Sequence, residues 1–478
     1  MLKSIWVGVF VLAAGAAAHA TAPGFAAWYV IVDGDGAQLG HAAREVRQTA
    51  DGREIVESQQ LYLSEEGSTA AVLTSRSVYL EDRAGRIAAI DKELRNGREW
   101  TRIAARIADG VAYVTRETPA GTWTGEVALP AGVRFDEGEA LFRAWDRAAT
   151  PRLEFLNFDI DAPDIERVVV EAGPPDAEGR ATAIRWRYER DQLVGVARLV
   201  FADDGRVLEV AQPMFGATIR VLETDRETAQ RLHPPYRVMA SVSTRSPYRI
   251  SDAAARGHVR YRFAFRDGMS FTPPQTGEQR VTIQDGLVSV DVCATCGPGL
   301  AADAAALADA LRPTVWMQSD HRRLRELAEP IARMDVSDAR KMELLLARAR
   351  PYLGRIDFRG HYSALDTLTR RAGDCTEAAV LLAALGRAAG IPTRVASGVV
   401  YSRARYHGVS NAFLPHSWTL AYVDGAWRSY DLALETFDST HIALTIGDGD
   451  ARSIAAAAQL SGLLRWEGLA EIRSRGAG

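Results

Sequence analysis

Gly373-Asp374-Cys375-Thr376-Glu377-Ala378-Ala379-Val380-Leu381-Leu382-Ala383-Ala384-Leu385 decides how the C-terminal third of this chain is read. From Cys375 to Ala389 nearly every residue favours a helix, and Gly390 followed by Pro392 ends it. Asp374 is a natural N-cap, and Glu377 three residues later completes a capping-box pattern. Cys375 then takes the first helical position. There, unsatisfied N–H groups and the positive end of the helix dipole favour thiolate over thiol, the form in which cysteine is a nucleophile. The alternative is a buried structural cysteine near a helix start.

Working outward, the next informative stretch is Ala412-Phe413-Leu414-Pro415-His416-Ser417-Trp418-Thr419-Leu420-Ala421-Tyr422-Val423, followed by Asp424-Gly425 and Ala426-Trp427-Arg428-Ser429-Tyr430-Asp431-Leu432. Asp-Gly between two aromatic, β-prone runs predicts a hairpin with a two-residue turn. Val423 then faces Ala426, Trp418 faces Asp431 and His416 faces Ala433. His416 and Asp431 become diagonal neighbours on one face, about 7–8 Å apart at the backbone, a gap that an imidazole and a carboxylate can close. A helix-start thiolate, an imidazole that shares its proton and a carboxylate that fixes the imidazole's tautomer make a nucleophilic triad of Cys375, His416 and Asp431.

Residues 361–433 resemble the transglutaminase-like superfamily of papain-like cysteine enzymes. The resemblance rests on Arg371-Ala372-Gly373-Asp374-Cys375-Thr376-Glu377, on Ala388-Ala389-Gly390-Ile391-Pro392-Thr393-Arg394-Val395, on His416-Ser417-Trp418 and on Tyr430-Asp431. Helical spacing from about residue 303 onward and Ser439-Thr440-His441-Ile442 also fit secreted bacterial relatives. The resemblance implies an α+β core, with Cys375 on a helix packed against an antiparallel sheet carrying His416 and Asp431. It implies attack on an amide by Cys375, His416 as general base and then acid, Asp431 orienting it, a thioester intermediate, and transfer to an amine or to water. Two positions depart from the pattern: Ala378 stands where relatives commonly carry a histidine, and Pro415 precedes His416. The first is expected to alter packing or pocket shape, the second the way the strand begins. The Cys375 amide is the first candidate oxyanion donor, with Tyr362 upstream as a second. Trp418 and Tyr362 are the candidate substrate-binding side chains, packing being the plainer reading of Trp418 and Trp427.

Towards the N-terminus the pattern changes. Trp28–Val32, Ser58–Ser64, Ala70–Leu80, Gly110–Glu117, Thr182–Tyr188, Val194–Phe201 and Arg206–Val210 alternate or are β-branched, with a helical interruption near Glu137–Ala148. Val238–Thr244, Val259–Phe265 and Arg280–Val292 continue the β pattern. Helical spacing follows over Asp303–Leu311, Asp320–Met334 and Ser337–Arg350, with Ser319 and Ser337 as caps. The fold class expected is a mainly β N-terminal region followed by an α+β papain/transglutaminase-like domain. Its divisions are a signal peptide over 1–20, a β-rich region over 23–232 in one or two subdomains, a small β domain over 233–298 and the catalytic domain over 299–478.

Cys293-Ala294-Thr295-Cys296 has no second pair to complete a zinc site. It follows a strand-like run and precedes Gly297-Pro298, unlike a redox pair that opens a helix. A small disulfide between Cys293 and Cys296 is the first reading and a redox-active pair the second, which leaves Cys375 without a partner. Lys3, an apolar stretch from Ile5 to Ala18 and Ala18-His19-Ala20 read as a cleavable leader, and no later segment is apolar for long enough to span a bilayer. The protein is therefore expected to be periplasmic or secreted.

With 478 residues, 47% hydrophobic, 25% charged and a net charge of −4, the composition is that of a globular protein and excludes disorder, coiled coil and a basic nucleic-acid binder. No metal or other cofactor is expected; Asp448 and Asp450 do not make a calcium cluster. His407 and His441 read as surface or supporting groups. Arg403 and Arg405 read as solvated charges first and substrate-selecting groups second. The function expected is periplasmic thiol-dependent amide hydrolysis or acyl transfer on a protein or peptide, with hydrolysis favoured and a possible envelope partner for the N-terminal β region. The alternative is a non-catalytic envelope binding or assembly module that keeps the fold.

Overall fold

The computed structural model describes residues 25–472 except 65–69, 137, 215–216, 238–243, 247, 267, 358–359 and 404–409. The leader sequence, Arg405 and His407 lie outside the described residues, as does most of Val238–Thr244. Among the described residues no helix is long and apolar enough to cross a membrane. The chain divides into two compact units, 2–239 and 240–478.

The N-terminal unit is one sheet of fifteen strands among the described residues, fourteen of them antiparallel in sequence-ordered runs and the short Tyr236–Arg237 added in parallel beside Gly52–Ser64. Eight strands from Phe25–Val32 to Gly121–Ala128 each pair with the next, and six more from Arg152–Asp159 to Ala217–Thr224 do the same. The last of these pairs with the first, with Val30 opposite Leu222, so the two meanders are continuous. After the edge strand Gly121–Ala128 the chain crosses to the opposite edge, where Arg134 N–H donates to the Leu156 carbonyl and the Arg134 carbonyl accepts from Phe158 N–H. Ile90, Ile103 and Val114 then share a core with Phe158 and Ile160 from that far edge, so the sheet curls upon itself. Asp203-Asp204-Gly205 turns the chain as its residue types predict, with Gly205 at φ 80°. Several strands were not expected from sequence, among them Gln38–Thr49 and Ile87–Asn96. Their Ala, Arg, Glu and Lys favour helix locally, but each is paired on both sides, and that pairing outweighs a weak propensity.

In the C-terminal unit, Thr393–Ser402 lies between Ala412–Val423 and Ile442–Gly447. Ala426–Tyr430 and Thr244–Arg245 both pair with the outer edge of Ala412–Val423. The long helix Cys375–Ala388 packs on this sheet, where Thr419 Oγ1 donates to the Ala379 carbonyl at 3.0 Å. From Thr376 to Arg387 every residue of the helix is buried, because the helices Arg322–Ala332, Asp338–Ala349 and Ala364–Arg370 cover its other faces. Ser337 caps as expected, by accepting from Arg340 N–H. Ser319 does not: its own N–H bonds to the Met317 carbonyl, and His321 Nδ1 takes the capping place two residues later.

A second sheet holds Gln279–Gln284, Leu287–Val292, Val259–Phe265 and Leu464–Glu471. The strand Val259–Phe265 is paired with Leu287–Val292 on one side and with Leu464–Glu471 on the other, so most of the segment 233–298 packs within the C-terminal unit.

A candidate active site at the start of the long helix

The helix begins at Cys375 for the reasons its sequence predicts. The Asp374 carboxylate accepts from Thr376 N–H at 2.8 Å, and Glu377 Oε2 accepts from Asp374 N–H at 3.0 Å. Glu377, fully buried, also receives Tyr362 N–H on Oε1 at 3.1 Å, which ties the preceding loop to the first turn. Gly373 has to be a glycine here, since a Cβ would fall 2.4 Å from the Glu377 Cβ. Cys375 is half-buried and outside any disulfide.

The hairpin forms in the expected register, with Val423 opposite Ala426 and Thr419 opposite Tyr430. Asp424 and Gly425 adopt φ 50° and 82°, as a tight primed turn requires. Strand pairing ends at Tyr430, and the chain turns so that Asp431 Oδ1 accepts from the N–H groups of Ala433 and Leu434 at 2.8 and 2.9 Å. The other oxygen, Oδ2, accepts from His416 Nε2 at 2.6 Å. Cys375 is a hydrogen-bonding and electrostatic neighbour of the same imidazole, and with Nε2 engaged by Asp431, Nδ1 is the nitrogen left to face it. Helix and hairpin thus bring Cys375, His416 and Asp431 together.

Pro415 lies inside a strand that begins at Ala412, and does not alter where it starts. Among the described residues the outer edge of that strand is paired at 412–413 and at 419–423, and Pro415 falls between these two stretches. A residue lacking an N–H is tolerated at such an edge.

The electrostatics follow from burial and charge. His416 is only 7% exposed, and burial by itself disfavours the imidazolium. The Asp431 carboxylate and the neighbouring Cys375 outweigh that cost and hold its pKa well above the ordinary value. Asp431 is buried too, which works against its charge, yet His416 and His441 hold it well below the usual carboxylate range.

His441 is the participant whose role the sequence did not resolve. It is 1% exposed, with Nε2 at 3.0 Å from Asp431 Oδ2 and Nδ1 at 3.1 Å from Asp438 Oδ1. It arrives there because Ile442–Gly447 pairs with Thr393–Ser402 through an irregularity at Ser397/Gly398. A Cβ on Gly398, which lies opposite His416 in the sheet, would fall 1.9 Å from the Ile442 carbonyl oxygen, so glycine permits this approach. The cue in the sequence was the polar Ser439-Thr440-His441 just before an apolar strand, but nothing local said which carboxylate it would meet.

The remaining candidates separate. Trp418 lies nearly parallel to His416, with ring centroids 6.2 Å apart, and meets His441 edge-on at 5.2 Å, so it walls the imidazole pair. The Tyr362 ring is covered by the Arg370 guanidinium at 3.5 Å, and the contact it makes to the helix start is through its backbone. Ala378 is buried in the helix packing. Arg403 is engaged by the Ile250 carbonyl and the Asp252 carboxylate, while Asp448 pairs with Arg387 and Arg394. Cys293 and Cys296 form a disulfide whose loop carbonyl at Ala294 accepts from Arg428, on the strand that leads to Asp431.

A thiol at a helix start thus lies with a buried imidazole and a buried carboxylate, carried by a helix packed on an antiparallel sheet. Residues 325–432 match the model of the transglutaminase-like superfamily. No curated protein matches the chain. Among solved structures, similarity is found to a "putative cysteine protease" from Cytophaga hutchinsonii, 19% identical, covering 46% of this chain and 84% of that one at a TM-score of 0.27. A beta-barrel-like protein of a domain of unknown function from Brucella abortus is 13% identical, covering 42% of this chain and 96% of that one at a TM-score of 0.33. A "putative protease" from Parabacteroides distasonis is 14% identical, covering 83% and 70% at a TM-score of 0.20.

Proposed function

We propose that the C-terminal unit is a cysteine-dependent amide hydrolase acting on peptides or proteins in the periplasm. The observation that carries the reading is His416, a buried imidazole held between Asp431 and Cys375 with its protonated form favoured. In this reading the Cys375 thiolate attacks the amide carbonyl carbon, and the Cys375 N–H at the helix start receives the developing oxyanion. His416 gives its proton to the leaving amine as the C–N bond breaks, which leaves a thioester on Cys375. Neutral His416 then takes a proton from water, hydroxide adds to the thioester, and the sulfur leaves as thiolate beside the re-formed imidazolium. Asp431 keeps the ring in one tautomer throughout. Transfer to an amine in place of water is the same second step with a different acceptor. The Cys293–Cys296 disulfide supports an oxidising compartment.

Iodoacetamide alkylation of the full chain at about pH 6 tests this, because an ordinary thiol with a pKa of about 8.5 is under ~1% thiolate there. Cys375 is expected to alkylate readily, and His416→Ala to slow it by about 100-fold or more. A thiol that reacts slowly and is indifferent to His416→Ala overturns the enzyme reading in favour of a non-catalytic module.

A further inference from the structure

Two imidazoles share one carboxylate oxygen in this site. His416 Nε2 and His441 Nε2 both reach Asp431 Oδ2, at 2.6 and 3.0 Å, while Oδ1 is occupied by two backbone N–H groups. The mechanism above uses the first imidazole and leaves the second without a task. We infer that His441 is a positioning residue for the triad, one that fixes Asp431 Oδ2 against His416 and, by its own charge, sets how strongly that carboxylate holds the His416 proton. This rests on the proposed hydrolase reading and deepens it into a line of five groups: Cys375, His416, Asp431, His441 and Asp438.

The surroundings of His441 provide for both of its charge states. When the ring is neutral with its proton on Nε2, Nδ1 can accept from Asp438 N–H at 3.3 Å. When Nδ1 is also protonated, it can donate to Asp438 Oδ1 or to the Asp438 carbonyl, each at 3.1 Å. Asp438 is itself held, since its Oδ1 accepts from Thr440 N–H and Oγ1 at 2.9 and 2.6 Å. Nε2–H faces Asp431 in either state. What changes is a positive charge placed against the carboxylate that His416 depends on.

The charged and titratable groups around His441 are Asp431 beyond the hairpin, His416 on the strand Ala412–Val423 and Asp438 in its own loop. Tyr261, on Val259–Phe265, donates its hydroxyl to the Ser439 carbonyl nearby, and Cys375 acts through His416. Burial disfavours a charged His441, as does neighbouring His416, but its bonds to Asp431 and Asp438 raise its pKa above the ordinary value. Trp418 and Phe437 pack against the ring, with centroids at 5.2 and 4.7 Å, so the contact between His441 and Asp431 lies away from bulk water. As pH falls, His441 gains its proton, competes for Asp431, and loosens the hold on the His416 imidazolium. The acid limb of Cys375 reactivity is therefore set in part by a residue that does not touch the sulfur.

The test is the rate of Cys375 alkylation by iodoacetamide in the full chain, followed from about pH 4 to 9, where carboxylates, imidazoles and thiols titrate. His441→Phe keeps a ring but removes both nitrogens, and is expected to slow the reaction about tenfold across the profile, the scale of one hydrogen bond to a buried charge. His441→Gln keeps an uncharged donor near Nε2, and should restore the rate to within about twofold near neutral pH while abolishing the His441 inflection on the acid limb. Asp438→Asn removes the outer carboxylate, disfavours the charged ring, and should move that inflection to lower pH. If His441→Phe and Asp438→Asn both keep the parent rate and profile, the inference is overturned. If His441→Phe does not fold, the shift in Asp438→Asn decides alone, since its side chain is about a third exposed. His416→Ala in the same series keeps the two ideas apart: parent reactivity indifferent to His416 sinks the hydrolase reading, whereas a His416-dependent parent with an inert His441 sinks only this inference.

Discussion

The two units bury charge for different ends. In the N-terminal sheet, buried charges pair with each other along the strands: Glu166, fully buried, accepts from Arg187 Nε at 2.8 Å and Asn157 Nδ2 at 3.1 Å, and Lys92 pairs with Asp161 at 2.5 Å. In both pairs the cation meets its anion, and the two lie apart in the sheet. In the C-terminal unit Glu377 and Asp374 close a helix start, and Asp431 receives four hydrogen bonds, two of them from imidazoles. There the charges converge on one half-buried thiol. Buried polar groups by themselves thus say little about function; their convergence on a nucleophile is the discriminating feature.

That contrast can be broken at either end. The largest effect is expected from Asp431→Asn, which keeps the shape but offers His416 the wrong hydrogen-bond partner. Turnover of a peptide substrate should fall by roughly 10⁴-fold with little change in melting temperature, as for other triads that lose this carboxylate. A fall in stability without a selective loss of reactivity would make Asp431 a structural charge like Glu166. Glu166→Ala should do the reverse. It strands Arg187 in the sheet interior and should cost the N-terminal unit about 3–5 kcal/mol in denaturant unfolding, while Cys375 reactivity is unchanged. The smallest effect is assigned to Cys293→Ser with Cys296→Ser. Opening so short a loop should cost about 2 kcal/mol. Because Arg428 bonds to the Ala294 carbonyl in that loop, the loss should register in the C-terminal unit, with at most a few-fold change in alkylation rate.

The candidate site was more legible than the fold around it. Cys375 as the first helical residue, the capping by Asp374 and Glu377, and the pairing of Val423 with Ala426 all follow from residues within a few positions of one another. The register carries Asp431 towards His416, but pairing stops at Tyr430, and a turn held by the Ala433 and Leu434 N–H groups completes the approach. The N-terminal meander was read in part, because strands such as Ile87–Asn96 are built from helix-favouring residues and owe their conformation to neighbours on both sides. Ser319 looked as good a cap as Ser337, and differed only in the turn that its own N–H joined.

What the sequence determined by itself is the local machinery: where the long helix starts, which way its first side chain is presented, and how the hairpin aligns an imidazole with a carboxylate. Those features depend on hydrogen bonds between near neighbours, which residue types encode directly. Tertiary structure alone decided that Leu464–Glu471 would close the sheet begun by Val259–Phe265, and that Ile442 would pack against Gly398 and deliver His441 to Asp431. Such choices between distant segments rest on shared burial and close backbone approach, and no short stretch of chain records them.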